Sequence, residues 1–323
     1  MTPKRIIIDT DPGVDDALTF LLALASPEIQ LEALTTTQGN VTVDKATRNA
    51  LATLEFLNAS HIPVAKGCTL PMVGPLLASD HVHGASGLGN TNLPNPTTKP
   101  VPQHAIDYLI ERFLAEPGEI SLFAIGPLSN IALAIRKEPR FASAVKEMVI
   151  MGGAIREGGN ITAQAEFNIY ADPHAAHIVF HSGIPITLIP LDVTNKCMLY
   201  AKDVKRLQKT NSPISQFIDD ATAVYLEFTK EKTGIDGCAL HDPLTLATII
   251  ASELLTLEER YVDVDISGGI SMGKTFADFY RTTGKPANMK VALDVRGEEF
   301  VELFLERMET NRGEAYLAPT KKI

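Results

Sequence analysis

The sequence predicts an α/β protein: one large domain with a mostly parallel central sheet flanked by helices. Three observations carry this. Strand-like and helix-like segments alternate along most of the 323 residues, the pattern of a parallel sheet with helical crossovers. The first strand opens on Ile6-Ile7-Ile8, a β-branched run of the kind buried on both faces. Successive strand-like segments then end in polar or glycine-rich exits, at Asp11, Asn40, Ile125-Gly126, Met151-Gly152-Gly153 and Asp192. Those exits converge on one rim, and ligands of open α/β sheets bind outside the carboxyl ends of the strands.

The elements follow in order. Pro12-Gly13 breaks the first strand, and from Asp15 onward Ala17, Leu18, Leu21, Leu22 and Leu24 share a broad helical face. Residues 31–37 read as a second strand, and 43–57 as a helix with Ala46, Ala50, Leu51, Leu54 and Leu57 inward. A short strand spans 62–65. The stretch 66–102, rich in Gly, Pro, Asn and Thr, is longer than connections in compact domains usually are and is expected to be functional, as a lid. A helix at 105–114, a strand at 120–125, a helix from 128, a strand at 145–151 and a strand at 186–191 come next. The pattern is then helical to about Ala251. Strands at 261–266, 275–280 and 289–293 and a helix at 298–308 complete the domain. No repeat or linker divides residues 1–323, and about 309–323 form a polar tail expected to fray.

Composition narrows the function. Hydrophobic residues make up 45% of the chain, enough for a sizeable core, yet no apolar run would span a membrane. Met-Thr-Pro-Lys-Arg leads straight into the first strand without the apolar block of a signal peptide. Cys68, Cys197 and Cys238 are scattered and odd in number, so neither a disulfide framework nor a zinc site is expected, and a reducing cytoplasm is the simplest setting. A net charge of −10 argues against nucleic acid as a partner.

Asp9, Asp11, Asp15 and Asp16 cluster at the first strand-to-helix turn. The helix dipole favours Asp15 and Asp16 by only a fraction of about 1 kcal/mol each, too little to hold four repelling carboxylates together. A hard cation with oxygen ligands, Ca²⁺ or Mg²⁺, would do so. The plainer reading, a single Asp acting as a helix cap, does not account for Asp-x-Asp-x-x-x-Asp-Asp.

Further on, Asn160, Glu166 and Asn168 offer amide and carboxylate groups suited to sugar hydroxyls. Glu166 and Asn168 point to one side if their segment is extended. The plainer alternative is a polar loop before a helix opened by Asp172-Pro173. His241-Asp242-Pro243 reads as a helix start with His241 exposed just before it. His81-Val82-His83 suits substrate contacts or surface better than a metal pair. His174 and His177 read as a solvated helix face, with no carboxylate at ligand spacing. Cys238 reads as a small buried hydrophobe, not a nucleophile, and the paired glycines lack a phosphate-loop spacing.

Asp-x-Asp-Pro-Gly-x-Asp-Asp-Ala at 9–17, Ala-Glu-Phe-Asn-Ile at 165–169 before Asp172-Pro173, and His241-Asp242 together resemble the inosine–uridine nucleoside hydrolase family. The resemblance extends to Gly-Lys-Pro-Ala-Asn at 284–288, essentially the whole chain. It implies a Rossmann-like nucleoside hydrolase fold. It also implies hydrolysis of the N-glycosidic bond of purine or pyrimidine ribonucleosides to free base and ribose, in nucleoside salvage. Carried over, Asp11, Asp16, Asp242 and the carbonyl of Ile125 hold Ca²⁺, and a Ca-bound water is the nucleophile. Ile125 stands where the family often has Thr, which a carbonyl ligand tolerates. Asp11 is the general base and His241 the general acid, and the anomeric carbon inverts. Asp15 and Asn168 bind ribose hydroxyls, Asn160 and Glu166 the 5′-hydroxyl end; Asn40 and Met151 line the sugar site; His83 and His241 flank the base. The partners implied are small-molecule ribonucleosides, with no nucleic acid or membrane, and a homodimer or homotetramer is expected.

Two other functions fit parts of the pattern. A Mg-dependent phosphatase would use Asp9 as nucleophile, but it needs a later acidic metal motif, for which Asp263-Val264-Asp265 is a poor substitute. A non-catalytic Ca-dependent nucleoside or sugar binder would keep Asp11, Asp16 and Asp242 and have no need of His241.

Overall fold

The three isoleucines of β1 (Lys4–Thr10) take alternate sides: Ile6 and Ile8 enter one core and Ile7 the other, all fully buried. That alternation is the period of a strand sandwiched between two layers. The computed structural model describes residues 2–77, 80–84 and 86–310; most of the expected polar tail lies outside them. The other strands are β2 (Ile29–Thr36), β3 (Val64–Lys66), β4 (Ser121–Ala124), β5 (Met148–Met151), β6 (Ile186–Ile189), β7 (Met198–Tyr200), β8 (Gly237–Ala239), β9 (Leu255–Arg260), β10 (Val262–Val264), β11 (Thr275–Ala277) and β12 (Met289–Val295).

The helices are α1 (Val14–Leu24), α2 (Val43–Phe56), α3 (Asp80–His83), α4 (Ala105–Ala115), α5 (Ser129–Lys137), α6 (Arg140–Ala144), α7 (Phe167–Ala171), α8 (Pro173–Phe180), α9 (Leu191–Thr194), α10 (Ala201–Gln208), α11 (Pro213–Thr233), α12 (Ala247–Ile250) and α13 (Gly297–Thr310). Helices α1, α2, α11 and α13 cover one face of the sheet, and α4, α5, α6 and α8 the other. Helix α1 is buried from Val14 to Ala23, so it is a core helix and not an amphipathic surface one. Among the described residues no helix is long and apolar enough to cross a membrane.

The main sheet runs β3-β2-β1-β4-β5-β6-β12-β9. All pairings are parallel except β12 with β9. The predicted α/β architecture is therefore present. The chain leaves β1 toward β2 on one side and returns to β4 on the other, so the order reverses between β1 and β4. That switch point is where such sheets open a crevice at their carboxyl ends. Asp11 follows β1 there, and Ile125 follows β4.

Departures from expectation have local causes. The span after Asp192 is not continuously helical: β7 and β8 form a small antiparallel pair within it, each three residues long and too short to show a period. The strand expected at 261–266 is shorter, Val262–Val264, and a strand not expected precedes it. Leu255–Arg260 is the antiparallel edge of the main sheet, and Val262–Val264 pairs with Thr275–Ala277 in a separate ribbon. The β9 sequence LTLEER is largely solvent-facing, as an edge strand can be, and lacks the apolar run of the central strands. Within 66–102 the structure contains the single-turn α3, which packs on α11.

Candidate active site

A cavity of about 440 Å³ opens at the carboxyl ends of the strands, within the size range of small-molecule sites. Of the residues singled out from sequence, Asp15, Asn40, His83, Ile125, Met151, Asn160, Glu166, Asn168, His241 and Asp242 line it. Asp11 and Asp16 do not line it: both are fully buried just beneath the lining carboxylates Asp15 and Asp242, as the lower layer of its floor.

The floor is built by the turn from β1 into α1. Asp16 accepts from Gly13 N at 2.8 Å and from Asp11 N at 3.3 Å, and Thr10 Oγ1 also donates to it. Its side chain thus caps the helix on which it sits. Asp11 Oδ2 accepts from Asn40 N at 2.6 Å, which ties the exit of β1 to the exit of β2. Two glycines make room for this carboxylate. A Cβ at Gly39 would stand 1.9 Å from Asp11 Oδ2, and one at Gly126 2.6 Å from Oδ1. Asp242 arrives from far along the chain, just before the 3₁₀ turn Pro243–Leu246. Oxygens of Asp15, Asp16 and Asp242 lie within 4.8 Å of one another, so Asp15, expected to bind ribose, also belongs to this acidic floor.

Four buried carboxylates meet here, and no ion pair among the described residues reaches any of them. Burial pushes all four carboxyl groups upward, Asp15 to about 7. Repulsion from Asp16 adds to the rise at Asp11 and Asp15, and repulsion from Asp15 to that at Asp242. Asp11 Oδ1 is buried with no hydrogen-bond partner. An all-oxygen donor set with an orphaned carboxylate oxygen fits a hard divalent cation.

The sign of the pH effect follows. Carboxyl groups raised on folding make the metal-free native state hold protons that the unfolded chain has lost, between the ordinary value of 3.8 and about 7 for Asp15. Native stability of that state therefore falls as pH rises through this window. A cation bound only to the folded protein reverses the loss. The melting temperature of chelator-treated protein should rise little on adding Ca²⁺ near about pH 5 and much more near about pH 8. An equal rise at both pH values in a fluorimetric melt would contradict this account.

On one wall, Asn168 Nδ2 donates to the carbonyls of Ile125 at 3.1 Å and Met151 at 3.3 Å. The Ile125 carbonyl, expected to face a cation, is thus already shared with Asn168, though a carbonyl has a second lone pair. The extended reading of Glu166 and Asn168 is incorrect. Helix α7 begins at Phe167 with Glu166 as its cap, accepting from Asn168 N at 2.8 Å, Ile169 N at 3.1 Å and Gly153 N at 2.8 Å. Glu166 therefore shapes the wall first, with one acceptor site left over from three N–H groups. Asn160 sits exposed at the mouth, its Oδ1 accepting from Phe167 N at 2.9 Å.

The opposite side carries the rings. His83, delivered by the 66–102 segment, accepts from Val14 N at 3.1 Å through Nδ1, taking up an N–H at the start of α1 that no helical bond can use. Its ring lies 6.0 Å from that of Tyr225. His241 is half-buried, not exposed as expected, and its Nδ1 is 2.7 Å from Thr194 Oγ1. Burial lowers its pKa to about 4. Tyr225, Phe228, Thr229 and Lys232 of α11 complete this wall at helical spacing. Sequence reasoning missed Thr194, whose partner lies 47 residues away; of the α11 wall it reaches only Tyr225, as an alternative proton donor, and not Phe228, Thr229 or Lys232.

Asp9 does not line the cavity. It is buried within β1, accepts from Thr35 Oγ1 and from Asn130 Nδ2 at 2.9 Å, and is raised by burial to about 7. A nucleophile needs access, so the phosphatase alternative loses its reacting group. Asp192 is also occupied, accepting from Ile155 N at 2.8 Å and Arg156 N at 2.7 Å to pin the loop after β5. Cys238 is buried and its thiol pushed up by burial, as a packing residue and not a nucleophile. His177 does lie on a solvated face, but the reading that it has no carboxylate partner is incorrect: Asp263 Oδ1 is 3.1 Å from its Nδ1.

Known proteins match this chain along almost its full length. The family model described as inosine-uridine preferring nucleoside hydrolase matches residues 6–302. A Salmonella arizonae protein named pyrimidine-specific ribonucleoside hydrolase RihA is 43% identical over 305 residues, covering 94% of this chain and 98% of the relative. An Escherichia coli protein of the same name is 41% identical over 305 residues, with the same coverages of 94% and 98%. Among solved structures, a plant nucleoside hydrolase, the PpNRh1 enzyme, superposes with a TM-score of 0.91 at 38% identity, covering 95% of this chain and 99% of that one. A purine-preferring ribonucleoside hydrolase from Gardnerella vaginalis also gives 0.91, at 33% identity over 97% of this chain and 100% of that one.

Proposed function

This chain belongs to the inosine-uridine preferring nucleoside hydrolase family and is a ribonucleoside hydrolase, and from that premise we propose how it works and on what. The proposed substrates are pyrimidine ribonucleosides, cleaved at the N-glycosidic bond with Asp11 as general base, His241 as proton donor to the base and Ca²⁺ as cofactor. The observation that carries the reading is a single cavity floored by Asp11, Asp15, Asp16 and Asp242 and walled on one side by His241. The pyrimidine preference rests on the relatives at 41–43% identity named pyrimidine-specific. The buried free thiols Cys68, Cys197 and Cys238 suit a reducing cytoplasm, where released base and ribose would enter salvage.

Asp11, Asp16, Asp242 and the Ile125 carbonyl would hold the cation, with Asp15 beside them. When bound, it would orient ribose hydroxyls and make a water molecule more acidic. Asp11 would accept the proton that the attacking water gives up, once cation and substrate draw that water against its carboxylate. The carboxylate floor also stabilises the positive charge that develops on the ribosyl group as the base departs. Asn168, fixed by the two carbonyls it bridges, and Asn160 at the mouth position the sugar.

His241 meets a hydroxyl at Nδ1, not a carboxylate, so nothing adjacent holds an imidazolium. With Thr194 as the donor to Nδ1, the ring hydrogen would stand on Nε2. Nε2–H then serves as a donor to the departing base and strengthens as negative charge collects there. A neutral histidine polarising a carbonyl is a known catalytic device.

Reducing-sugar release from uridine, cytidine and inosine, with and without chelator, tests the whole reading. Uridine or cytidine should give the highest kcat/KM, and chelator should abolish turnover. Preference for inosine would overturn the substrate choice, and release of phosphate from an ester in place of sugar from a nucleoside would overturn the reaction. Thr194→Val tests the orientation of His241. It should lower kcat on uridine by roughly fivefold to tenfold, about the worth of one hydrogen bond, with KM little changed. Thr194→Ser should restore the rate. An unchanged kcat in Thr194→Val would remove Thr194 from the mechanism.

A further inference from the structure

Outside the cavity, the last turn of α8 and the ribbon strand β10 bring together His177, His181 and Asp263. We infer that these three side chains form a second metal site, suited to a transition-metal dication such as Zn²⁺ and independent of the carboxylate floor.

The spacing comes from the helix. His177 and His181 are four residues apart, so their rings meet on one face, tilted at 44° with centroids 4.5 Å apart. Asp263 reaches them from β10: its Oδ1 is 3.1 Å from His177 Nδ1, and its Oδ2 is 3.6 Å from His181 Nε2. A ligand atom from each residue lies within 4.8 Å of the others. Two ligands on a tetrahedral zinc with bonds of about 2.0 Å stand about 3.3 Å apart; the two histidine–carboxylate separations, one to each oxygen of Asp263, bracket that edge, and small side-chain rotations would bring the two imidazoles to it.

Hydrogen bonding sets the tautomer of His181. Its Nδ1 is 2.9 Å from the carbonyl of His177. A carbonyl only accepts, so Nδ1 carries a proton; Nε2, 3.2 Å from Tyr261 Oη and 3.6 Å from Asp263 Oδ2, holds the lone pair whenever the ring is neutral, and a bound ion would displace its contact with Tyr261. Metal-binding histidines are held in this way, their other ring N–H given to a carbonyl. The carboxylate is fixed as well: Tyr261 Oη donates to Asp263 Oδ2 at 2.8 Å and Val264 N to Oδ1 at 2.9 Å. Side-chain exposures of 39% and 35% for the histidines and 18% for Asp263 leave access for an ion and a position for water.

Ligand chemistry separates the two sites. Two imidazoles and one carboxylate favour zinc, copper or nickel, whereas four carboxylates favour a hard cation. Lys285 donates to Tyr261 Oη at 2.6 Å, and its charge opposes a dication, which keeps the affinity moderate. Occupancy would replace the His177–Asp263 contact with a bond from α8 to β10 and stabilise the folded state by mass action.

The test is calorimetric titration of the whole protein with Zn²⁺ in saturating Ca²⁺, so that the carboxylate floor is blocked. One Zn²⁺ per chain should bind and raise the melting temperature. His181→Ala and Asp263→Asn should each weaken binding by at least about tenfold, and replacement of the exposed His61 by Ala should not. Circular dichroism checks that each variant is folded. No saturable binding, binding that Ca²⁺ competes away, or binding unaffected by both substitutions would each overturn the site. None of these readouts depends on nucleoside turnover.

Discussion

Asp11→Asn is expected to lower kcat on uridine by at least about 10³-fold while the protein remains folded. General base catalysis alone is typically worth ~10²–10⁴-fold. The substitution also removes one of four negative charges from the floor, and with it cation affinity and stabilisation of the ribosyl charge. Folding should suffer less, for a structural reason. Asp11 Oδ2 accepts from Asn40 N, and an amide oxygen can accept the same bond. The shape against Gly39 and Gly126, where no larger group fits, is preserved. Relief of buried repulsion should even make the metal-free variant more stable than the metal-free parent at neutral pH. Stopped-time product assays and melts, each with the bound metal quantified, check both halves. Parental turnover by correctly metallated Asp11→Asn would falsify the base assignment.

His241→Ala should give the second large effect, and its size should depend on the leaving group. A pyrimidine departs as a poor anion, and removing one well-placed donor to a developing negative charge costs roughly 10²–10³-fold. The variant should lose about that much on uridine. A nitrophenyl riboside leaves as a stabilised phenolate that needs little help, so its cleavage should be nearly unaffected, although it still depends on Asp11 and the cation. The neighbour in sequence, Asp242, makes this comparison necessary. A uniform loss on both substrates would mean that His241 acts by positioning Asp242 in the floor. No loss on either would move the donor to His83 or Tyr225, which share the same wall.

These assignments differ in how far they were legible beforehand. The floor was legible because its parts lie side by side in the chain: a buried strand, a Pro-Gly break and an Asp pair in the first turn of a helix. Asp242 could be named only through resemblance, since 226 residues of folding separate it from Asp16 (242 − 16 = 226). Thr194 was invisible for the same reason, with no local pattern to mark it. Glu166 was misread because two-residue spacing was applied where a helix begins; the carboxylate before Phe167 is a cap. His177 was misread because its carboxylate partner lies 86 residues further on. The parallel core declared itself through apolar runs, and the edge strand β9 did not, because solvent asks little of its sequence. The order β3-β2-β1-β4-β5-β6 adds meaning that no single segment carries, since it makes one rim the meeting point of the strand ends.

The wall formed by α11 sets the terms on which this scaffold could be retargeted. The groups proposed to break the bond sit at the exit of β1, at the start of α1 and, for His241 and Asp242, just before the 3₁₀ turn Pro243–Leu246. Tyr225, Phe228, Thr229 and Lys232 sit on a helix that contributes no carboxylate to the floor, and they run from buried at Tyr225 to exposed at Lys232. On the proposed mechanism, the wall of α11 and the reacting groups are thus separate pieces of the chain. A combinatorial library confined to those four positions would reshape that wall of the cavity while leaving the floor intact. Changes at the outer end would cost little stability, and the inner end would have to keep its volume. A lineage under selection for a new nucleobase would find its workable substitutions there first, and only rarely in the strand exits.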